Sequence, residues 1–299
     1  MESLLEWGID VVLWFQQASP VFDLFFKGLT FLGDEEFFLI FLPFFYWCAD
    51  RRTGFRLLVV FLISTYLNSA AKIIADQPRP FNYDSRVKAL TSATGGGLPS
   101  GHTQSTVVLW GYLAYCFKYK LLWIVTGLLL IGVPLSRIFL GVHFPTDIIG
   151  GYVLGVFVLL GLIWLAPRVE SWLCAARFSL QIGLACILPG ILVLLSPLAD
   201  PNCLTAGSTL MGFCSGAVLE RRWIRFKTGG IWRKQAVRYL AGLFILVCLW
   251  LGLKLGFKDL EPESVFRVIR YSVVGLWCSL GAPWLFVRLK IAEKDERIP

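Results

Sequence analysis

Residues 95–117 read "GGGLPSGHTQSTVVLWGYLAYCF", a glycine-rich polar mouth that passes without a single Asp, Glu, Lys or Arg into an apolar run. A helix crosses a bilayer with about 20 mostly apolar residues, and Pro99-Ser100-Gly101 has the chemistry of a helix start, with Ser100 as the N-cap. His102 then stands at the end of a membrane span. An imidazole at mid-bilayer would be costly, so a place at the edge asks for a polar purpose.

Working outward from this span, comparable runs lie at about 35–49, 55–75, 120–138, 146–166, 179–197, 203–219, 237–256 and 268–287. With 57% hydrophobic and 16% charged residues over the 299-residue chain, the expected fold is all-α, a polytopic transmembrane bundle of about nine spans. The run at 203–219, "CLTAGSTLMGFCSGAVL", is rich in small residues that let helices approach closely. The eight cysteines show no CxxC spacing and read as small lipid-compatible side chains, not as a disulfide framework or zinc site.

If consecutive spans alternate, 18 of the 28 Lys and Arg fall on one side of the membrane and 14 of the 20 acids on the other. The positive-inside rule places the N-terminus and the acid-rich side outside, with the C-terminus in the cytoplasm. The formal charge of +8 thus reads as topology, and no nucleic acid partner is expected. The start, "MESLLEWGIDVVLWFQQ", carries three acids and no base, unlike a cleaved signal peptide. Glu2, Glu6 and Asp10 share one helix face, as in a helix lying at the membrane surface.

Three outward segments hold nearly all the polar chemistry: "KIIADQPRP" at 72–80, "PSGH" at 99–102 and "SRIFLGVHFPTD" at 136–147. Lys72, Arg79 and Arg137 bring three positive charges toward one pocket, an arrangement that asks for an anion. Guanidinium forks suit the oxygens of phosphate. Ser100 and Gly101 add backbone N–H groups at a helix start, which also favour an anion. The two imidazoles of the chain, His102 and His143, both sit beside this cradle. A reaction at phosphorus needs a nucleophile and a proton donor for the leaving oxygen. Asp147, four residues after His143, is placed to fix that ring's tautomer, with Pro145 in the first turn of the next helix. His143 is therefore assigned as nucleophile, Asp147 as its support and His102 as general acid. A metal is not expected among three cations, and neither is a cofactor.

Lys72 with six residues before Arg79-Pro80, then Pro99-Ser100-Gly101-His102, then Ser136-Arg137 with five residues before His143 and three more before Asp147, resembles the full three-part signature of the type 2 phosphatidate phosphatase superfamily. The resemblance covers residues 35–166. It implies a metal-independent membrane hydrolase working through a phosphohistidine. Lys72, Arg79, Ser100, Gly101 and Arg137 would hold the phosphate, and His102, His143 and Asp147 would keep the roles just given. Glucose-6-phosphatases share the "HFP" after the third-motif Ser-Arg, while intact Asp147 and "PSGH" favour the lipid phosphatase branch. The expected substrate is a lipid phosphate monoester or diphosphate: phosphatidate, phosphatidylglycerol phosphate or a polyprenyl diphosphate. Glucose 6-phosphate and a sphingoid phosphate are the alternatives, and a lipid translocator or anion transporter is the non-enzymatic one.

By this reading residues 1–32 form an interfacial segment, 33–168 a catalytic core of five spans, and 169–299 a four-span extension with a basic cytoplasmic loop. The expected home is a bacterial inner membrane with the site outside, and membrane lipids as the surroundings. "TSATGGG" at 91–97 reads as a flexible stretch able to move over the site. Arg267 and Arg270 have two possible uses, reaching to the outward pocket or pairing with Glu261 or Glu263.

Overall fold

The computed structural model describes residues 2–197 and 200–295; residues 296–299, counted above with the inward charge, lie outside them. The described chain is helical apart from loops and one isolated antiparallel bridge, Phe226 with Lys294. The elements are α1 (Glu2–Gln16), α2 (Asp23–Phe31), α3 (Glu35–Phe44) with a π-helical turn at Phe45–Ala49, α4 (Arg51–Ala75), the short α5 (Pro80–Tyr83), α6 (Gly101–Phe117), α7 (Lys120–Phe139) and α8 (Pro145–Ala175). There follow α9 (Phe178–Leu194), α10 (Pro201–Trp223), α11 (Trp232–Gly256), α12 (Glu263–Leu276), a second π turn at Trp277–Gly281, and α13 (Ala282–Arg288).

Each of the nine apolar runs falls on a helix. Five helical stretches are long and apolar enough to cross a membrane: Arg51–Tyr83, Lys120–Phe139, Pro145–Ala175, Trp232–Gly256 and Glu263–Arg288. Two more, Glu36–Ala49 and Phe178–Leu194, are apolar but shorter. The remaining two runs, on α6 and α10, are more polar for a physical reason. Both are largely enclosed by protein, with Thr103, Gln104, Thr106 and Tyr112 buried on α6 and Ser208 and Glu220 on α10. Surrounded helices need no lipid-facing stripe, whereas α8 exposes Ile149, Val153, Phe157, Leu160 and Trp164.

The chain forms two compact units. One joins the segment up to Phe38 with Leu67–Trp164; the other joins Leu39–Tyr66 with the chain from Leu165 onward. In the first, α8 crosses α6 through Gly151 and Gly155. A Cβ on Gly151 would stand 2.7 Å from the Ser100 carbonyl, and one on Gly155 would stand 2.9 Å from Val107 Cβ. This small-xxx-small seam brings the start of α8 beside the start of α6. On α1 the face bearing Glu2, Glu6 and Asp10 is exposed. Its apolar face, Leu5, Ile9 and Val12, is buried with Val87, Ile138, Phe144 and Ile148, so protein covers the side that a surface helix would give to lipid.

The second unit is built on Tyr46, Trp47, Phe213, Phe226, Leu246 and Phe286. The small residues of α10 do pack closely: added Cβ atoms on Gly212 and Gly216 would run into Ser272 and Ser279. Several basic residues tie this unit together. Arg51 pairs with buried Glu220, Arg52 and Arg56 pair with Glu170, and buried Arg238 donates to the carbonyls of Lys227 and Gly229. Arg267 pairs with Glu263, which decides between its two possible uses in favour of a local ion pair. All eight cysteines are free thiols.

Candidate active site

The site lies wholly within the first unit, where the ends of α4, α6, α7 and α8 deliver its side chains. Lys72 comes from the last turn of α4. The chain then turns through Asp76 (φ 42°) and extends at Arg79, the residue that caps α5 ahead of Pro80. Ser100 caps α6 as expected, its side chain accepting from the Thr103 N–H. At the start of α8, Pro145 takes the first position, where its missing N–H costs nothing. Two residues on, the Asp147 carboxylate reaches back to the Phe144 N–H at 2.9 Å, the acidic half of a capping box.

That cap fixes Asp147 for a second task. Its Oδ2 lies 3.1 Å from His143 Nδ1, and its Oδ1 accepts from Gln77 Nε2 at 2.7 Å. The other ring nitrogen, His143 Nε2, lies 3.3 Å from Arg79 Nη1. A guanidinium has donors only, so Nε2 must present its lone pair and Nδ1 must carry the proton toward Asp147. His143 is 1% exposed. Burial, reinforced by the charges of Lys72, Arg79, Arg137 and His102, pushes its imidazole well below the usual value near 6.5, so the ring is neutral at pH 7.

Arg79 also donates to the carbonyls of Gly95 (3.0 Å), Thr94 (2.8 Å) and Val142 (2.8 Å). The Gly97 N–H donates to Gln77 O at 2.8 Å. The stretch read above as flexible is thus hydrogen-bonded to the site through Thr94, Gly95 and Gly97, with Gly97 against Asp147, where a Cβ would stand 2.8 Å from Oδ2. Arg137, 4% exposed, donates through Nη1 to Thr30 Oγ1 at 2.7 Å, while its buried Nε has no partner. A buried guanidinium with an unspent donor beside a second guanidinium is the expected signature of an anion site. The Ser100 N–H donates to the Asp147 carbonyl at 2.9 Å, tying the second motif to the third.

The geometry therefore gathers Lys72, Arg79, Ser100, Gly101, His102, Arg137, His143 and Asp147 in one unit. It adds four residues that sequence reasoning missed. Asn68 of α4 donates to Gln104 and to the Pro99 carbonyl, and its Oδ1 closes on Gly101, where a Cβ would lie at 3.0 Å. Gln77 and Thr30 hold Asp147 and Arg137 as described. Asp34 Oδ1 lies 2.6 Å from His102 Nε2. Gln77 stood between Lys72 and Arg79 and could have been noticed; the others carry no spacing signal toward their partners.

Residues 53–171 match the PAP2 superfamily, and residues 204–294 match the PAP2 superfamily phosphatase transmembrane extension. Phosphatidylglycerophosphatase B of Bacillus subtilis is 30% identical over 148 residues, 44% of this chain and 68% of that protein. The chain belongs to the PAP2 superfamily. Lipid phosphate phosphatase delta of Arabidopsis thaliana is 31% identical over 51% of this chain and 40% of its own length. The glucose-6-phosphatase catalytic subunit 1 of Haplochromis nubilus is 26% identical over 66% of this chain and 64% of its own. This chain therefore spans less than two thirds of either relative. The PAP2 match takes in every motif residue from Lys72 to Asp147 but begins after Thr30 and Asp34, and the extension match falls in the second unit.

Proposed function

We propose that this PAP2 protein is an integral membrane phosphatase that hydrolyses a lipid phosphate monoester or diphosphate through a phosphohistidine. The observation that carries this reading is His143, buried, neutral, and held at Nδ1 by Asp147 and at Nε2 by Arg79. Phosphate replaces the ring lone pair as the partner of Arg79 and takes up the unspent Arg137 donor. The His143 Nε2 lone pair then forms a bond to phosphorus, the bond to the leaving oxygen breaks, and that oxygen receives a proton from His102. In the second half water attacks phosphorus, gives a proton to His102, and the bond to His143 breaks, releasing phosphate. The residues supply all the charge stabilisation from side chains and backbone N–H groups.

In this reading residues 33–168 are catalytic, 1–32 cover the outer face and 169–299 are an extension. The nine apolar runs cross the membrane with the N-terminus and site outside and the C-terminus in the cytoplasm of a bacterial cell. A lipid substrate suits a site at helix ends, where the headgroup meets the pocket while the chain stays among apolar faces. The glucose-6-phosphatase relative supports a second reading, a small soluble sugar phosphate. Purified protein in detergent with EDTA is expected to release phosphate from phosphatidate, phosphatidylglycerol phosphate or undecaprenyl diphosphate faster than from sphingosine phosphate or glucose 6-phosphate. Glucose 6-phosphate as the best substrate would replace the lipid reading, and lipid flipping in vesicles without phosphate release would remove the enzyme.

A pH dependence follows from the His143 environment. Protonation blocks the attacking lone pair, so a depressed value leaves the nucleophile active well below pH 6.5. With substrate ionisation titrated separately and divided out, the acid limb of kcat/KM is expected below pH 6.5. A limb at or above that value would mean that the cradle does not act on His143 as described.

A further inference from the structure

The stretch "TFLGD" at 30–34 lies upstream of every motif residue, yet it touches the site at three points. Thr30 Oγ1 accepts from Arg137 Nη1 at 2.7 Å. Gly33 lies against the His102 ring, where a Cβ would stand 3.1 Å from Cδ2 and 3.4 Å from Cβ. Asp34 Oδ1 meets His102 Nε2 at 2.6 Å, a charge-assisted distance. The carboxylate is awkward where it stands: a negative charge acting on Arg137 works against the phosphate that this cation is meant to hold. Such a cost makes sense if the charge serves the reaction. A general acid must carry a proton it can lose, and neighbouring cations oppose that proton. A carboxylate on the ring acts in the opposite sense to those cations.

We propose that Asp34 is a positioning residue that holds His102 by Nε2 and keeps it loaded as the general acid, an inference that rests on the phosphatase reading above. With Nε2 committed to Asp34, the proton passed to the leaving oxygen comes from Nδ1. After the transfer the ring is neutral and its remaining proton stays on Nε2, shared with the carboxylate. In the second half Nδ1 takes the proton of the attacking water and the pair is restored. The two histidines are thus each held by a carboxylate on opposite nitrogens: His143 by Nδ1 with Nε2 working, His102 by Nε2 with Nδ1 working.

The test compares two leaving groups in a single turnover. The alcohol of phosphatidate leaves only if protonated, whereas p-nitrophenolate leaves without help. In Asp34→Asn the rate on phosphatidate is expected to fall about 100-fold and that on p-nitrophenyl phosphate by no more than about threefold, the pattern of a lost general acid. The ratio of the two rates is independent of how much enzyme is folded. His102→Ala should reproduce the ratio, and the double variant should lose little more. Asp34→Glu, which keeps the charge, should give an intermediate ratio and serves if the asparagine variant is not recovered. Equal losses on both substrates, or no loss on phosphatidate, would overturn the proposal. Failure of the phosphatase reading itself would show separately, as no phosphate release by the parent chain from either substrate, and failure of the phosphohistidine as release that survives His143→Ala.

Discussion

Replacing His143 with alanine is expected to lower turnover by about 10⁴-fold or more, the scale seen when a covalent nucleophile is removed, and to abolish any phosphoenzyme trapped from labelled substrate. The size of the effect comes from what the ring does alone. Arg79 and Arg137 can bind phosphate without it, so KM should change far less than kcat, and the residue of activity measures binding and charge stabilisation only. The variant should still fold. Asp147 keeps its bonds to the Phe144 N–H and to Gln77, and the helix start it caps does not depend on the imidazole. Far-UV circular dichroism and an unchanged elution volume would establish this. The trapped species should be acid-labile and alkali-stable, as a nitrogen–phosphorus bond is. Label retained in His143→Ala, or activity within tenfold of the parent chain, would remove the phosphohistidine from the mechanism.

The motifs were legible because each sits where a helix begins or ends, and their chemistry there is local. Ser100 before an uncharged apolar run is an N-cap whatever surrounds it, and Asp147 after Pro145 reaches back one turn by helix geometry alone. Residues whose function depends on a distant partner left no such trace. Asp34 is 68 positions before His102, and the pair arises only because α3 begins against the mouth of α6. In sequence, "TFLGDEEFF" looks like a polar interruption between apolar segments. Asn68, inside the apolar α4, likewise gains meaning from Gln104 and Gly101 on another helix. The glycines of 91–97 carry a contact that their flexibility alone did not show. Glycine reports permission for unusual backbone, and at Gly96 and Gly97 the missing side chain allows close approach to Lys72, Gln77 and Asp147. The π turns at Phe45–Ala49 and Trp277–Gly281 were not legible either, since a widened turn leaves the apolar pattern intact. The Trp47 indole donates to the carbonyl of Cys278 inside the second of them, a use that only the folded chain reveals.

Arg79→Lys is expected to lower kcat/KM by about 10²- to 10³-fold, although the charge is conserved, because the fork and not the charge is what the site uses. In the parent chain one guanidinium makes four contacts in three directions. Nε and Nη2 hold the carbonyls of Gly95 and Thr94, while Nη1 lies between the Val142 carbonyl and His143 Nε2. It therefore links the glycine stretch to the loop that carries the nucleophile and presents a flat donor face where phosphate arrives. A lysine ammonium is a point donor on a flexible stem; it can take up one of these directions at a time. Two consequences separate this account from one in which Arg79 supplies charge alone. Amide exchange at Gly97, whose N–H is held by Gln77 O, should speed by about 10- to 30-fold, since two bonds of about 1 kcal/mol each no longer restrain the stretch. The loss should also appear in kcat as well as KM, because a nucleophile no longer aligned by Arg79 reacts slowly even when substrate is bound. A lysine variant with kcat/KM within threefold of the parent chain and unchanged exchange at Gly97 would show that Arg79 contributes charge alone, and that the glycine stretch is held by Gln77 and its own packing.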